Sequence, residues 1–116
     1  MTQLSMKRDA ALKGYLNVVA ALPRVDAVRR LDLACEWRDG NADAGRQLME
    51  CYLPMVVAEA AARRGLGASF ETLLATGNRA LAKALPDAVQ DLIRLDATVR
   101  HSIIAALKEQ WVRTHL

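Results

Sequence analysis

The sequence predicts an all-α fold, a compact bundle of four to six helices, and three observations carry that expectation. Ala and Leu dominate a composition that is 53% hydrophobic but only 4% aromatic, and both residues have high helix propensity. Apolar residues recur every three or four positions along most of the chain, the period of a helix with one buried face. Pro, Gly and Asp/Asn/Ser clusters interrupt that pattern at helix-length intervals. A length of 116 residues suits one domain with one modest core.

The first helix is expected from Leu4 to Leu22, with Ala11, Leu12, Tyr15, Leu16 and Val19 at helical spacing and Pro23 as its terminator. The second runs from about Val25 to Arg38. Val28, Leu31, Ala34 and Cys35 form its predicted inner face, with Trp37 near its end and Arg29, Arg30 and Asp32 turned away. Asp39-Gly40-Asn41 is a strong stop and turn. Asp43 is the predicted N-cap of a third helix, Ala44 to Arg64, because its carboxylate can accept from free N–H groups of the first turn. Pro54 is expected to kink or break this helix near Cys51 to Leu53. Leu48, Met49, Tyr52, Met55, Val56 and Ala60 supply its apolar contacts.

Gly65-Leu66-Gly67 makes the next turn, and Ser69 caps a fourth helix, Phe70 to Leu85, with Phe70, Leu73, Leu74, Leu81 and Leu85 facing inward. Gly77 sits inside this helix at a cost of about 1 kcal/mol relative to Ala, which a helix accepts where another backbone or a partner comes close. Pro86 is expected at the start of the following helix. Asp87 to His115 is expected to form one or two helices with an apolar stripe of Val89, Leu92, Ile93, Ile103, Ile104 and Leu107.

The formal net charge is +3, and it is unevenly placed. Residues 1–62 carry eight Lys+Arg and eight Asp+Glu, whereas residues 63–116 carry eight against five. A mild basic bias in one half permits an anionic partner without demanding one. No apolar run approaches the roughly 20 residues of a membrane-spanning helix. The opening MTQLSMKRDA lacks a signal-peptide core, so the expected location is cytoplasmic. Cys35 and Cys51 form no C-x-x-C, and His101 and His115 lie far from them. The expectation is two reduced, mostly buried thiols and no metal site. No nucleophile–base order, phosphate loop or dinucleotide glycine pattern appears, so neither an enzyme nor a cofactor is expected.

The stretch DGNADAGRQLMECYLPMVVAEAAARR, followed by FETLLATGNRALAKAL, carries a resemblance. Bacterial sigma-70 family transcription initiation factors have a similar DG turn, an A-R-x-x-L segment and a helix like YLPLV-x-x-IA. These are followed by L-x-DLIQEGN-x-GL-x-KAV. Gly77, Asn78, Leu81, Lys83 and Ala84 match this last motif. Further on, VRHSIIAALKEQ is similar to the family's IRQAIIRALADQ. The resemblance runs from about residue 25 to 113 and implies sigma factor region 2 with part of the region before it. Residues 1–24 have no counterpart and form an extra N-terminal helix.

By that resemblance, the GN-containing helix would dock on a coiled coil of the RNA polymerase largest subunit through Glu71, Thr72, Leu74, Ala75, Thr76, Asn78, Arg79 and Lys83. Thr72, Ala75 and Thr76 replace the Asp, Gln and acidic residue that the family uses there. Arg94, Arg100, His101 and Lys108 would contact nucleic acid. The family's two Trp that capture a flipped base are replaced by Ala97 and Thr98, and a Tyr by Arg94, so the stacking that opens a promoter is missing. Arg79, Lys83, Arg94, Arg100, Lys108 and Arg113 are candidates for a phosphate-binding face, with an ordinary solvated helix face as the alternative. Trp37 and Trp111 are candidates for core packing or for partner anchors. The implied partner is RNA polymerase core or, in a second reading, an anti-sigma factor or other helical regulator bound without DNA. Self-association is a third.

Overall fold

The computed structural model describes residues 3–115, and side chains from Met6 onward. Among these residues the chain forms five α-helices and one short 3₁₀ turn: α1 (Gln3–Ala21), α2 (Ala27–Arg38), α3 (Ala42–Ala61), α4 (Phe70–Ala88), η1 (Leu92–Arg94) and α5 (Leu95–His115). The all-α bundle expected from composition and period is what forms. Helix α4 packs most extensively on α5, and α3 packs on both α2 and α4, with α1 attached more lightly to α3. The core is almost wholly aliphatic, drawn from Leu33, Leu48, Val56, Leu81, Leu85, Leu95, Val99, Ile103 and Leu107, with Tyr52 as its largest member. Among the described residues, no helix is long and apolar enough to cross a membrane.

Local chemistry sets the helix ends. Asp26 caps α2 by accepting from the Arg29 N–H at 2.9 Å. The same helix closes in a Schellman motif, with Gly40 N–H donating to the Trp37 carbonyl at 2.9 Å and Asn41 N–H to the Glu36 carbonyl at 3.0 Å. Gly40 adopts φ +106° there, a conformation that costs Gly little and other residues much. Ser69 caps α4 as expected, accepting from Thr72 N–H at 3.1 Å.

The N-cap of α3 differs from expectation. Asn41, not Asp43, accepts from Ala44 N–H, at 3.2 Å. Asp43 lies in the first turn, where its carboxylate meets the positive helix end and binds Arg46 at 2.7 Å and Gln47 at 2.8 Å.

Neither proline breaks its helix. Helix α3 runs unbroken through Pro54 and α4 continues through Pro86 to Ala88. Both rings are solvent-exposed, so water can satisfy the carbonyls that lose an N–H donor. Pro86 therefore ends one helix instead of starting the next. Ile93, expected in the apolar stripe, is 98% exposed. It falls in η1, where the tighter turn shifts the helical phase and leaves Leu92 and Leu95 to point inward.

Helix α2 is rotated by about one residue from its predicted orientation. Val28 and Leu31 are exposed, as is Cys35, while Leu33 and Ala34 are buried and Arg30 and Trp37 half-buried. Two tertiary contacts explain the rotation. Trp37 seats directly on Gly45 of α3, where an added Cβ would lie 2.6 Å from the indole ring. Arg30, expected in solvent, reaches Asp96 at the start of α5, with Nε donating to Oδ1 at 3.0 Å and Nη2 to Oδ2 at 2.7 Å. The third guanidinium nitrogen donates to the Val25 carbonyl at 2.6 Å. The buried Tyr52 donates its hydroxyl to Asp96 Oδ1 at 2.6 Å. One carboxylate thus joins α2, α3 and α5.

Ionisation in this cluster is mutually reinforced. Hydrogen bonding from Arg30, and secondarily from Tyr52, holds the Asp96 carboxyl below the usual carboxylate range despite partial burial. The bond to Asp96 likewise raises the Arg30 guanidinium. Burial, followed by the bond to Asp96, pushes the Tyr52 phenol well up. Elsewhere, burial pushes up the Cys51 thiol, which donates to the Gln47 carbonyl at 3.1 Å. Of the two thiols expected to be mostly buried, Cys51 is half-buried and Cys35 lies in solvent, because α2 turns that position outward.

Gly77 is buried in α4, and a Cβ there would lie 2.8 Å from Val56 Cγ1 on α3. The close approach anticipated for this glycine is therefore internal, between α3 and α4. Gly14, by contrast, is exposed in α1 with nothing within 4 Å of an added Cβ.

Two predictions follow from this packing. Gly77→Ala gains about 1 kcal/mol of helix propensity but forces a β-branched neighbour aside, an overpacking cost of about 1–3 kcal/mol. Its net effect in urea melts is a loss of about 1 kcal/mol, whereas Gly14→Ala gains about 0.5–1 kcal/mol. The second concerns Asp96. Its folded-state pKa is lowered, so its contribution is present above the unfolded value of about 4 and is lost as pH falls through the folded value. Asp96→Asn should therefore be about 1–2 kcal/mol less stable than the parent at pH 7, with the gap closing on the acid side of about pH 4. Denaturant melts at both pH values check this.

Candidate functional site

The residues singled out on α4 divide into three environments. Glu71, Thr72, Ala75, Arg79 and Lys83 are exposed, and their spacing of one to four residues places them along one solvent-facing stripe. The stripe starts at the capped end, where Ser69 also donates its hydroxyl to Thr72 Oγ1 at 2.8 Å. Leu74 is only 5% exposed and belongs to the core, so it holds the helix in place and presents no surface for docking. Thr76 and Asn78 flank the Gly77–Val56 contact and are half-buried.

Asn78 lies beneath α1. Its Nδ2 donates to the Tyr15 hydroxyl at 3.0 Å, which is a direct polar tie between the N-terminal helix and the Gly-Asn pair. Asn78 Oδ1 and Thr76 Oγ1 are buried without a hydrogen-bond partner among the described residues, a situation that costs about 1–3 kcal/mol per group. Helix α1, in the segment that had no counterpart in the resemblance, thus lies over Asn78, one of the residues of the predicted docking surface.

A shallow groove of about 600 Å³ runs between α4 and α5. Half-buried Ala80, Ala84 and Ala106 line it with exposed Ala105, Arg79, Lys83, Asp87, Glu109 and Arg113. Small side chains let α4 and α5 approach closely, which leaves the edge charges in two facing rows. Glu109 and Arg113 pair at 2.8 Å, so the groove is mixed in sign instead of basic.

The cations proposed for nucleic acid do not share a face. Arg113 joins Arg79 and Lys83 at the groove. Lys108 lies about 140° away around α5, at 3.6 residues per turn, and Arg100 and His101 are on its side of the helix. Arg94 is exposed in η1. Arg100 is tied to Glu59 of α3 at 3.3 Å, and Glu59 also binds Arg63 at 3.1 Å. The six cations that were candidates for one phosphate-binding face are therefore split between surfaces. Ala97 is exposed and Thr98 half-buried where base-stacking aromatics would stand. Trp37 packs against the core, while Trp111 is 45% exposed beside the end of α5.

Among the described residues, no group of three or more His, Cys, Asp or Glu stands close enough to hold a metal ion. Two features had not been anticipated. One is the Arg30–Asp96–Tyr52 cluster, whose members are 66 and 44 residues apart and leave no periodic signature. The other is an apolar cavity between the α3–α4 loop and the end of α5, to which Trp111 was the only pointer.

The Tyr15–Asn78 bond generates a prediction about α1. Tyr15→Phe removes a partly buried hydrogen bond worth about 0.5–1.5 kcal/mol. Amide exchange in α1 should then accelerate up to about tenfold while α3 to α5 stay protected, measurable by hydrogen-exchange mass spectrometry. As for relatives, no family model matches the chain, and no curated protein or solved structure matches it significantly.

Proposed function

We propose that this chain is a sigma-factor-like helical protein that docks on RNA polymerase core through the free face of α4 and takes part in, or regulates, transcription initiation. One observation carries the reading. The helix bearing the GN-x-AL-x-KAL signature buries Gly77, Leu81 and Leu85 yet leaves Glu71, Thr72, Ala75, Arg79 and Lys83 together in solvent. A capped, internally braced helix with a continuous exposed stripe suits a helix-on-helix interface with a coiled coil. The face is poor in acidic groups, with Glu71 as its one carboxylate, so its electrostatic match differs from that of the family it resembles.

A second reading is favoured by the split of the basic residues. It is a sigma mimic that uses the same face for an anti-sigma factor or other helical regulator and does not engage DNA. Arg94, Arg100, His101 and Lys108 would then be solvated charges, with Arg100 bracing α5 against Glu59.

The test uses the full chain and a variant carrying Ala75→Arg, Arg79→Glu and Lys83→Glu. All three positions are exposed, so circular dichroism and thermal melts should match the parent. Core polymerase should be retained by the immobilised parent and lost by the folded variant. Retention by neither, or equally by both, would remove the α4 docking reading. Promoter-length DNA separates the two readings, because phosphate contacts release counterions and weaken steeply with salt. The first predicts salt-sensitive DNA binding that Arg94→Glu with Lys108→Glu abolishes; the second predicts none.

A further inference from the structure

The α3–α4 loop folds back on the last turns of α5. Gly65 and Gly67 adopt φ +82° and +112°, which turns the chain sharply enough for Leu66 and Ala68 to approach α5. The φ of Gly67 is one that other residues rarely adopt, and a Cβ there would lie 2.7 Å from the exposed His115 ring, which would have to move aside. His115 in turn stacks on Trp111, with ring centroids 4.2 Å apart. The loop and the α5 terminus together form the walls of a half-open cavity of about 370 Å³.

Its wall is apolar. Leu73 and Leu107 are its buried base, and Leu66, Trp111 and Val112 line it while remaining 44–49% exposed. The size falls in the range of small-molecule sites, about 300–1,000 Å³. At the ~30 Å³ that a water occupies in the liquid, it holds about a dozen water-sized groups. The four side-chain carbons of a leucine from a partner protein would fill about a third of it. An unbranched chain of roughly ten carbons fits the volume better.

Two cations also line the cavity, Arg63 and Lys108. Because the wall is almost entirely apolar, they contribute their methylene stems and keep their charged heads at the mouth. The Arg63 guanidinium is already engaged, with Nη1 donating to the Glu59 carbonyl at 2.9 Å and carboxylate at 3.1 Å. Lys108 is exposed and has no salt-bridge partner among the described residues. An apolar cavity with one uncommitted ammonium at its opening selects a ligand with an apolar body and a single anionic head.

We infer that this cavity is a binding site for a medium-chain carboxylate, with the chain among Leu66, Leu73, Leu107, Trp111 and Val112 and the head at Lys108. The site is independent of the exposed face of α4 and does not rest on the polymerase-docking reading. The assignment also gives Lys108 a role that nucleic-acid contact does not require.

The test follows the indole N–H signals of Trp37 and Trp111 in ¹H–¹⁵N spectra of the full chain, assigned with Trp111→Phe. Decanoate, kept below its micelle concentration, should shift the Trp111 signal saturably and leave that of Trp37 in place. Lys108→Glu should weaken decanoate binding about five- to tenfold while changing the affinity for decanol less than about twofold. Ala68→Phe, which fills the cavity from its loop side, should abolish both responses without lowering helicity. An unsaturable Trp111 shift, a shift of both indoles together, or equal sensitivity of decanoate and decanol to Lys108→Glu would overturn the assignment.

Discussion

The Asp96 carboxylate is the point on which the arrangement of helices depends. It stands in the first turn of α5, receives two hydrogen bonds from Arg30 of α2 and accepts a third from Tyr52 of α3. A bidentate guanidinium–carboxylate pair is directional in a way that aliphatic packing is not. It fixes the rotation of α2 about its own axis and the register of α5 against α3 at once. The cost of holding charge at a partly buried position is offset because nearly every polar atom in the cluster is paired, including the third Arg30 nitrogen on the Val25 carbonyl. An aliphatic core of Leu, Val and Ile tolerates several packings of similar energy. This cluster is what distinguishes one of them.

Close backbone approach is the second constraint. Val56 meets Gly77 across the α3–α4 interface, and Trp37 covers Gly45 across the α2–α3 interface. Both glycines lie inside helices, where they are intrinsically unfavourable, and both occur where α3 is contacted by a neighbour. Helix α3 is therefore gripped from two sides, which leaves α4 with its inner face fully occupied and its outer face free. The exposed stripe from Glu71 to Lys83 follows from that geometry. A helix held by small-residue contacts on one side presents a rigid surface on the other, and rigidity lowers the entropy cost of binding a partner.

The periphery is built differently from the centre. Among the described residues, helix α1 is attached lightly, with the Tyr15–Asn78 bond as one of its ties, so the cover it forms over the Gly-Asn pair opens at little expense compared with the core. The α3–α4 loop and the α5 terminus border a half-open cavity that the side chains of the chain itself do not fill. The parts of the molecule with unmet capacity for binding are thus the outer face of α4, the polar groups beneath α1 and the cavity near Trp111. The densely packed centre has none.

Much of the fold was legible in the sequence, and the reasons are local. Ser69 and the Asp39-Gly40-Asn41 turn act through hydrogen bonds within a few residues, so their types and order suffice. Gly77 was legible because a glycine inside a strongly periodic helix needs a packing reason. The stripe of α4 could be read from spacing, which also placed Leu74 inward, where it lies; it was the resemblance that set Leu74 among the docking residues. What remained hidden depended on residues far apart in the chain. Val28 and Leu31 offered α2 a plausible apolar face, yet Arg30 and Trp37 face inward because Asp96 and Gly45 are there to receive them. Pro54 and Pro86 looked like breaks because a proline's cost is read locally, whereas solvent on the outer face of the folded helix relieves it. The sequence by itself determined the helical class, most element boundaries and much of the core, though not Leu33, Leu95 or Val99. Only the tertiary structure decided which side of α2 is buried, which cations share a surface and where a cavity remains, because those depend on pairs such as Arg30 and Asp96 that meet only when the chain has folded.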